Sequence, residues 1–288
     1  MRVLVTGSTG MLGFALRESR PTDVTLVDAD LPGTDITDAA SVARAFREGR
    51  PDAVINGAAY TNVDACETHE AEAAAVNGAG AGIVAAACAG AGIPLLHVST
   101  DYVFDGTIPA PGEYSEEDAT GPLSAYGRTK LAGERLVAER CPRHWIVRTQ
   151  WLYGSHGKNF VDTMLKLAGE KPELAVVDDQ VGSPTCTHDL APILWLILGL
   201  APPHGTYHAS NAGSCSWHGF AAEIFRLSGA RVALKTQTTA QLARPAPRPA
   251  RSVLSNARLR AALGTGLPSW QDGLQRYLRR RSAGGVPS

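Results

Sequence analysis

Several absences narrow what this chain can do. Its five cysteines, at 66, 88, 141, 186 and 215, form no CxxC pair, are odd in number and keep no metal-ligand spacing with a histidine. A disulfide framework and a cysteine-based metal site are set aside, and the thiols read as reduced, as expected of a cytoplasmic protein. Nor is there a surplus of charge of one sign: 27 Lys and Arg stand against 28 Asp and Glu, a formal net charge of -1 over 288 residues. With no general field for nucleic acid or an anionic membrane, any anion site has to be local. The opening MRVLVTG is too short an apolar run for a signal peptide. The longest later run, LAPILWLILGLAPP, is broken by Pro192, falls short of a bilayer span and reads as a buried core helix. We therefore expect neither nucleic acid nor a membrane as a partner.

With 44% hydrophobic and 19% charged residues, the chain can bury one large core or two unequal ones. Over the first 150 residues, short apolar runs (RVLVTG, DVTLVD, DAVINGAA, PLLHVST, HWIVRT) alternate with alanine-rich helical stretches at 11–20, 39–50, 69–91 and 124–140. That alternation predicts βαβ units. The continuous β-branched runs predict strands buried on both faces, hence an α/β fold with a doubly wound parallel sheet. After Thr149 the pattern loosens into a helix at NFVDTMLKLAGE, a strand at ELAVVDD, the apolar helix, GTYHAS and a helix at 217–227. The proline-rich ARPAPRPAR can be neither regular helix nor central strand.

Gly7, Gly10 and Gly13 in TGSTGMLG fall where the first strand hands over to the first helix, and Thr9, Met11 and Leu12 share that turn. Glycines at such a junction let the backbone approach a pyrophosphate at a helix N-terminus, where free N–H groups and the helix dipole favour an anion. Asp28 closes the second strand 21 positions after Gly7, where a carboxylate accepts from adenosine ribose hydroxyls, with no arginine nearby for a 2′-phosphate. In SAYGRTK, Tyr126 and Lys130 stand four apart and share one helix face. A cation beside a phenol favours the phenolate and makes the tyrosine a usable acid or base. On these motifs, residues 1–150 plus roughly 174–202 form a dinucleotide-binding domain, roughly 151–173 plus 203–281 a smaller interleaved substrate domain, and 282–288 a disordered tail.

The GxxGxxG spacing, HVSTDYVFDG and YGRTKLAGE resemble the extended short-chain dehydrogenase/reductase superfamily. AAYTNVDACE, STDYVFDG, RTQWLYG, NFVDTMLKLA, ELAVVDDQVGSPT, GTYHAS and RPARSVL follow in the order seen in dTDP-4-dehydrorhamnose reductases. The resemblance implies a Rossmann-like fold and NADPH- or NADH-dependent reduction of a nucleotide-sugar ketone. It makes Thr100, Tyr126 and Lys130 the catalytic set: Thr100 on the C4 carbonyl, Tyr126 protonating the alkoxide, Lys130 on the nicotinamide ribose. Thr61, Val63, Asp101, Tyr102 and Trp151 would line the sugar pocket, and Asn159 and Arg248 would meet the nucleotide end. Asn56, Ala58 and Ala59 would back the cofactor, with Asp35 and Ile36 beside the adenine, whereas Asn77 and its small-residue run suit close helix packing.

Other readings stay open. A 4,6-dehydratase or epimerase of the same superfamily lacks support, since Tyr102 follows Thr100 and Asp101 where dehydratases carry a further acid. A 4-ketoreductase of an antibiotic pathway shares every motif, and a non-catalytic regulatory subunit is the reading outside enzymes. Some relatives dimerise through a metal held by acids, one of them on the first helix. MLGFALR has no carboxylate, so we expect no metal and a monomer or weak homodimer.

Overall fold

The computed structural model describes residues 1–283. Six parallel strands form the central sheet: β1 (Arg2–Thr6), β2 (Thr25–Ala29), β3 (Ala53–Asn56), β4 (Leu95–Thr100), β5 (His144–Thr149) and β7 (Gly205–His208), in the order β7-β5-β4-β3-β1-β2. A further pair, β6 (Glu173–Val177) and β8 (Ala233–Gln237), is parallel and separate from it. The helices are α1 (Met11–Glu18), α2 (Ala39–Gly49), α3 (Glu70–Ala91), α4 (Ala125–Arg140), α5 (Phe160–Glu170), α6 (Thr187–Leu200), α7 (Trp217–Ser228), α8 (Ala257–Leu263) and α9 (Trp270–Ser282).

The two-sided burial expected of the strands follows from their alternation. On one face Val3, Val5, Trp145 and Val147 pack against Leu16 of α1 and Leu190, Leu194 and Ile197 of α6. On the other, Leu4, Val54, Leu95 and Ile146 meet Val42 of α2, Val84 of α3 and Val137 of α4. A Rossmann-like, doubly wound sheet results. By length and composition α3 could cross a bilayer, but half of its apolar window is buried here, and it lies along α4. Within α3 a π-helical stretch, Ala74–Gly80, turns Asn77 inward, where its carboxamide bonds the backbone N–H and C=O of Tyr60 and the Thr129 hydroxyl. Tyr153, Phe220, Ile224, Trp270 and Tyr277 build a second core around β6, α5, α7 and α9.

Four expectations need correction. β6, placed by sequence with the dinucleotide domain, pairs with β8 in the smaller unit, whereas β7, placed with the substrate domain, extends the main sheet beside β5. Leu259 of α8 likewise joins the main core. Pro192 does not break its helix: α6 starts at Thr187, so the proline sits in the second turn and removes one backbone bond. Ser282 of the expected tail closes α9, and 284–288 lie outside the described residues. Finally, α1 does carry a carboxylate, at its last residue: Glu18 is bonded by His188 at 2.8 Å and Arg280 at 3.2 Å.

Candidate active site

The sheet reverses its winding at β1, with β2 on one side and β3 on the other, and a crevice opens outside the strand ends at such a reversal. Here it is a cleft of about 760 Å³ that runs from the β1–α1 turn to the start of α4 and takes in Trp151, Lys158 and Trp217 from beyond β5. A second hollow of about 680 Å³, lined by Leu165, Leu227, Leu278, Arg279 and Arg281, carries none of the expected site residues.

At one end the glycine turn is tightly constrained. Gly7 has φ +67°, and a Cβ there would lie 2.8 Å from the Ala58 nitrogen; on Gly13 it would lie 2.4 Å from the Ser8 carbonyl oxygen. Side chains at these positions would force the turn open and lift α1 from its seat. The helix begins after Gly10 with no side-chain cap and no acid in its first turn, leaving its N–H groups to an outside acceptor. Those features fit a pyrophosphate. Gly10, Thr9, Met11, Leu12, Asp35, Ile36, Ala58 and Ala59 line the same end of the cleft. Asn56 lies beneath it, bonded to Thr6 and His97.

Asp28 is not there. It points outward from β2, an edge strand, and pairs with Arg17 of α1. The carboxylate at the cleft is Asp30, two residues on, where the chain has left the strand: its Oδ2 accepts from the Thr9 nitrogen at 3.0 Å and the Thr9 hydroxyl at 2.7 Å. Nor is the corner free of arginine, since Arg44 reaches it from α2, donating to the Gly33 carbonyl at 3.0 Å.

At the other end stand Thr100, the last residue of β4, and Tyr126 and Lys130 on α4, whose start is capped by the Ser124 hydroxyl. The Tyr126 and Tyr102 rings meet edge-on at 5.4 Å. Burial pushes the Tyr126 phenol above its usual value, and the Thr100 hydroxyl pulls the other way. The ammonium of Lys130 goes to the Val98 carbonyl at 2.8 Å. Thr100, rather than the lysine one turn away, is therefore the neighbour that favours the phenolate. Burial brings Lys130 itself down to about 8, against the pull of Glu134.

Thr61, Val63, Asp101, Tyr102 and Trp151 border the catalytic end. Trp151 has φ +47°, a strained conformation for a bulky residue, and its ring stacks on Trp217 at 3.6 Å. Besides Asp28, two expected residues lie off the cleft lining. Asn159 is the buried N-cap of α5, its side chain spent on Asp162, Gly154 and Tyr277. Arg248 stands behind Tyr102, its guanidinium paired with Asp64 at 2.9 Å. Asp30, Lys158 and Trp217 were not singled out from the sequence. Only Asp30, the residue after the strand end, left a local signal there.

Residues 1–282 match a family model described as the RmlD substrate binding domain. A dTDP-4-dehydrorhamnose reductase of Streptomyces griseus is 46% identical over 283 residues, covering 95% of this chain and 91% of that protein. A probable dTDP-4,6-dihydroxy-2-methyloxan-3-one 4-ketoreductase of Streptomyces antibioticus is 43% identical over 282 residues, covering 94% and 92%. The crystal structure of a dTDP-4-dehydrorhamnose reductase from Bacillus anthracis in complex with NADP superposes with a TM-score of 0.93 at 39% identity, over 97% of this chain and 99% of that one.

Proposed function

The chain belongs to the dTDP-4-dehydrorhamnose reductase family, and we propose that it reduces the C4 keto group of dTDP-4-dehydro-6-deoxy-L-mannose to dTDP-L-rhamnose with NADPH or NADH. The observation that carries this reading is the meeting of Thr100, Tyr126 and Lys130 in one cleft with the uncapped start of α1. When bound, the reduced nicotinamide supplies the hydride. The chain's own residues manage the charge. As negative charge grows on the C4 oxygen, hydroxyls aimed at it stabilise the transition state more than the ketone. Tyr126, kept protonated at neutral pH by burial, is the proton donor, and Thr100 the second hydrogen-bond donor. Lys130, charged below about 8, holds the nicotinamide ribose. The Trp151 ring offers an apolar wall to the sugar's C–H face. We take the chain to work in the cytoplasm as a monomer or weak homodimer without a bridging metal. All five cysteines are free, and the one carboxylate of α1 is paired internally.

The test is a coupled assay in which dTDP-glucose is converted to the 4-keto-L-sugar and cofactor oxidation is followed at matched NADPH and NADH. Oxidation that depends on this sugar supports the reading. Oxidation only with a differently deoxygenated dTDP-hexulose would favour a sister 4-ketoreductase, and none with either would favour a regulatory subunit.

The same assay checks the adenosine end. Asp30→Ala should lower kcat/KM with NADH about tenfold, the worth of a charge-assisted hydrogen bond, and leave NADPH use level or higher because a 2′-phosphate no longer meets a carboxylate. Asp28→Ala should change neither by more than about twofold, since that side chain is spent on Arg17. The opposite ranking would restore Asp28 to the cofactor site.

A further inference from the structure

Thr100 has one hydroxyl proton, and it can face either the Tyr126 oxygen, where it favours the phenolate, or the Asp101 carboxyl, where it points away from the reacting oxygen. Its Oγ1 accepts from the Tyr102 nitrogen at 3.2 Å and donates to Asp101 Oδ1 at 3.1 Å. The other carboxyl oxygen, Asp101 Oδ2, accepts from the Ser252 hydroxyl at 2.5 Å, across 151 positions of sequence. All three residues are buried, Asp101 to 1% exposure and Ser252 to 2%. Ser252 is fixed by its own backbone: its nitrogen donates to the Val181 carbonyl at 3.0 Å, and the Arg251 nitrogen donates to the Gly106 carbonyl at 3.2 Å. The partners of the Asp101 carboxyl are hydroxyls and the backbone N–H groups of Asp101 and Tyr102 rather than cations, so no full charge compels a buried carboxyl to ionise.

Resting on the reduction proposed above, we propose that Ser252 and Asp101 are positioning residues for it: Ser252 fixes the Asp101 carboxyl against Thr100, and the protonation of that carboxyl decides whether the Thr100 proton points at Asp101 or at the substrate oxygen. With Asp101 neutral, its O–H donates to Thr100 Oγ1 and the threonine proton is free for the C4 oxygen. With Asp101 ionised, the carboxylate takes that proton and Thr100 presents a lone pair to a developing oxyanion. Tyr126 remains the proton source in both cases, and nothing is transferred through Asp101.

Burial pushes Asp101 up to about 7, while the hydroxyls of Ser252 and Thr100 pull it down. The titratable groups facing it are Tyr102 from its own segment and Tyr126 from α4. Arg248 and Asp64 act on Tyr102, and Cys66 on Tyr126. The sign follows: the neutral, productive form prevails below about 7, so kcat/KM falls as pH rises through that value. Ser252→Ala removes a bond made to the charged form, raises the Asp101 pKa, and moves this limb upward by about one pH unit. Asp101→Asn, whose amide donates at every pH, loses the limb and leaves the one set by Lys130 near 8.

The experiment is kcat/KM against pH for wild type, Ser252→Ala and Asp101→Asn with the 4-keto-L-sugar and NADPH, with NADPH affinity by calorimetry as a check on folding. A limb that moves up in the first variant and vanishes in the second supports the proposal. Slower variants with the limb unmoved overturn it and leave the pair a merely structural contact. Should Ser252→Ala not fold, Asp101→Asn with a wild-type limb overturns it alone. A wild type that turns over but keeps its limb through both changes refutes this pair only, whereas a wild type without turnover refutes the reduction itself.

Discussion

Replacing Tyr126 with Phe is expected to lower kcat by about 10²- to 10⁴-fold while the Kd values for NADPH and for dTDP move by less than about threefold. The ring, its edge-on contact with Tyr102 and the start of α4 all survive the change, so the cleft keeps its shape. What is lost is the proton source and one of two hydrogen bonds to the C4 oxygen, an interaction that matters most once that oxygen is charged. Thr100→Val should cost less, because it removes a donor and leaves the acid. The measurement is steady-state kinetics on both variants beside calorimetric titrations. A Tyr126→Phe protein that keeps more than about a tenth of the wild-type kcat would exclude the tyrosine as the principal acid.

The second large effect concerns stability. Arg148 of β5 grips Glu134 of α4 through Nη2 at 2.7 Å and Nε at 3.0 Å, with the two side chains 7% and 5% exposed. Ser99 donates to the same carboxylate at 2.5 Å, and the guanidinium lies 5.1 Å from the centre of the Phe104 ring. Arg148→Met leaves that carboxylate buried without its cation and should cost about 3–5 kcal/mol of folding free energy by urea denaturation. Adding Glu134→Gln should recover most of the loss, since it is the orphaned charge rather than the missing contact that destabilises. A single-variant loss under about 1 kcal/mol would contradict this account. The pair also bears on the site: Glu134 is one turn beyond Lys130 and is the neighbour that favours its charged form.

The legible part of this protein is the part written locally. Strands β1, β3, β4 and β5 announce themselves because a strand buried on both faces needs an unbroken apolar run, and the glycine turn because a Cβ at Gly7 or Gly13 has no room. Pairing partners are not written locally. Nothing in GTYHAS says that it adds to β5, and nothing in ELAVVDD says that it leaves the main sheet for β8. Asp28 stands at the expected distance from Gly7, but strand alternation turns that residue outward, and the chain must leave the strand before a carboxylate, Asp30, can fold over Thr9. Asn159 did carry a readable signal. Asn, then Asp three positions later, at the head of an amphipathic run is a helix start, and its side chain is a cap. Trp217 comes from a helix some sixty residues beyond Trp151 in sequence, and only the folded chain stacks the two rings. Tyr126 and Lys130 do share a helix face, yet the carbonyl of Val98 claims the ammonium.

The central claim is that this cleft reduces a ketone at C4 of a nucleotide-linked hexose. It is tested most directly by running the reaction with NADPH deuterated at both positions of nicotinamide C4 and examining the sugar product by NMR. The account predicts a dTDP-6-deoxyhexose carrying one deuterium, bound to hexose C4, with none elsewhere on the ring. Product without deuterium at C4, or cofactor oxidation without a reduced sugar, would contradict it.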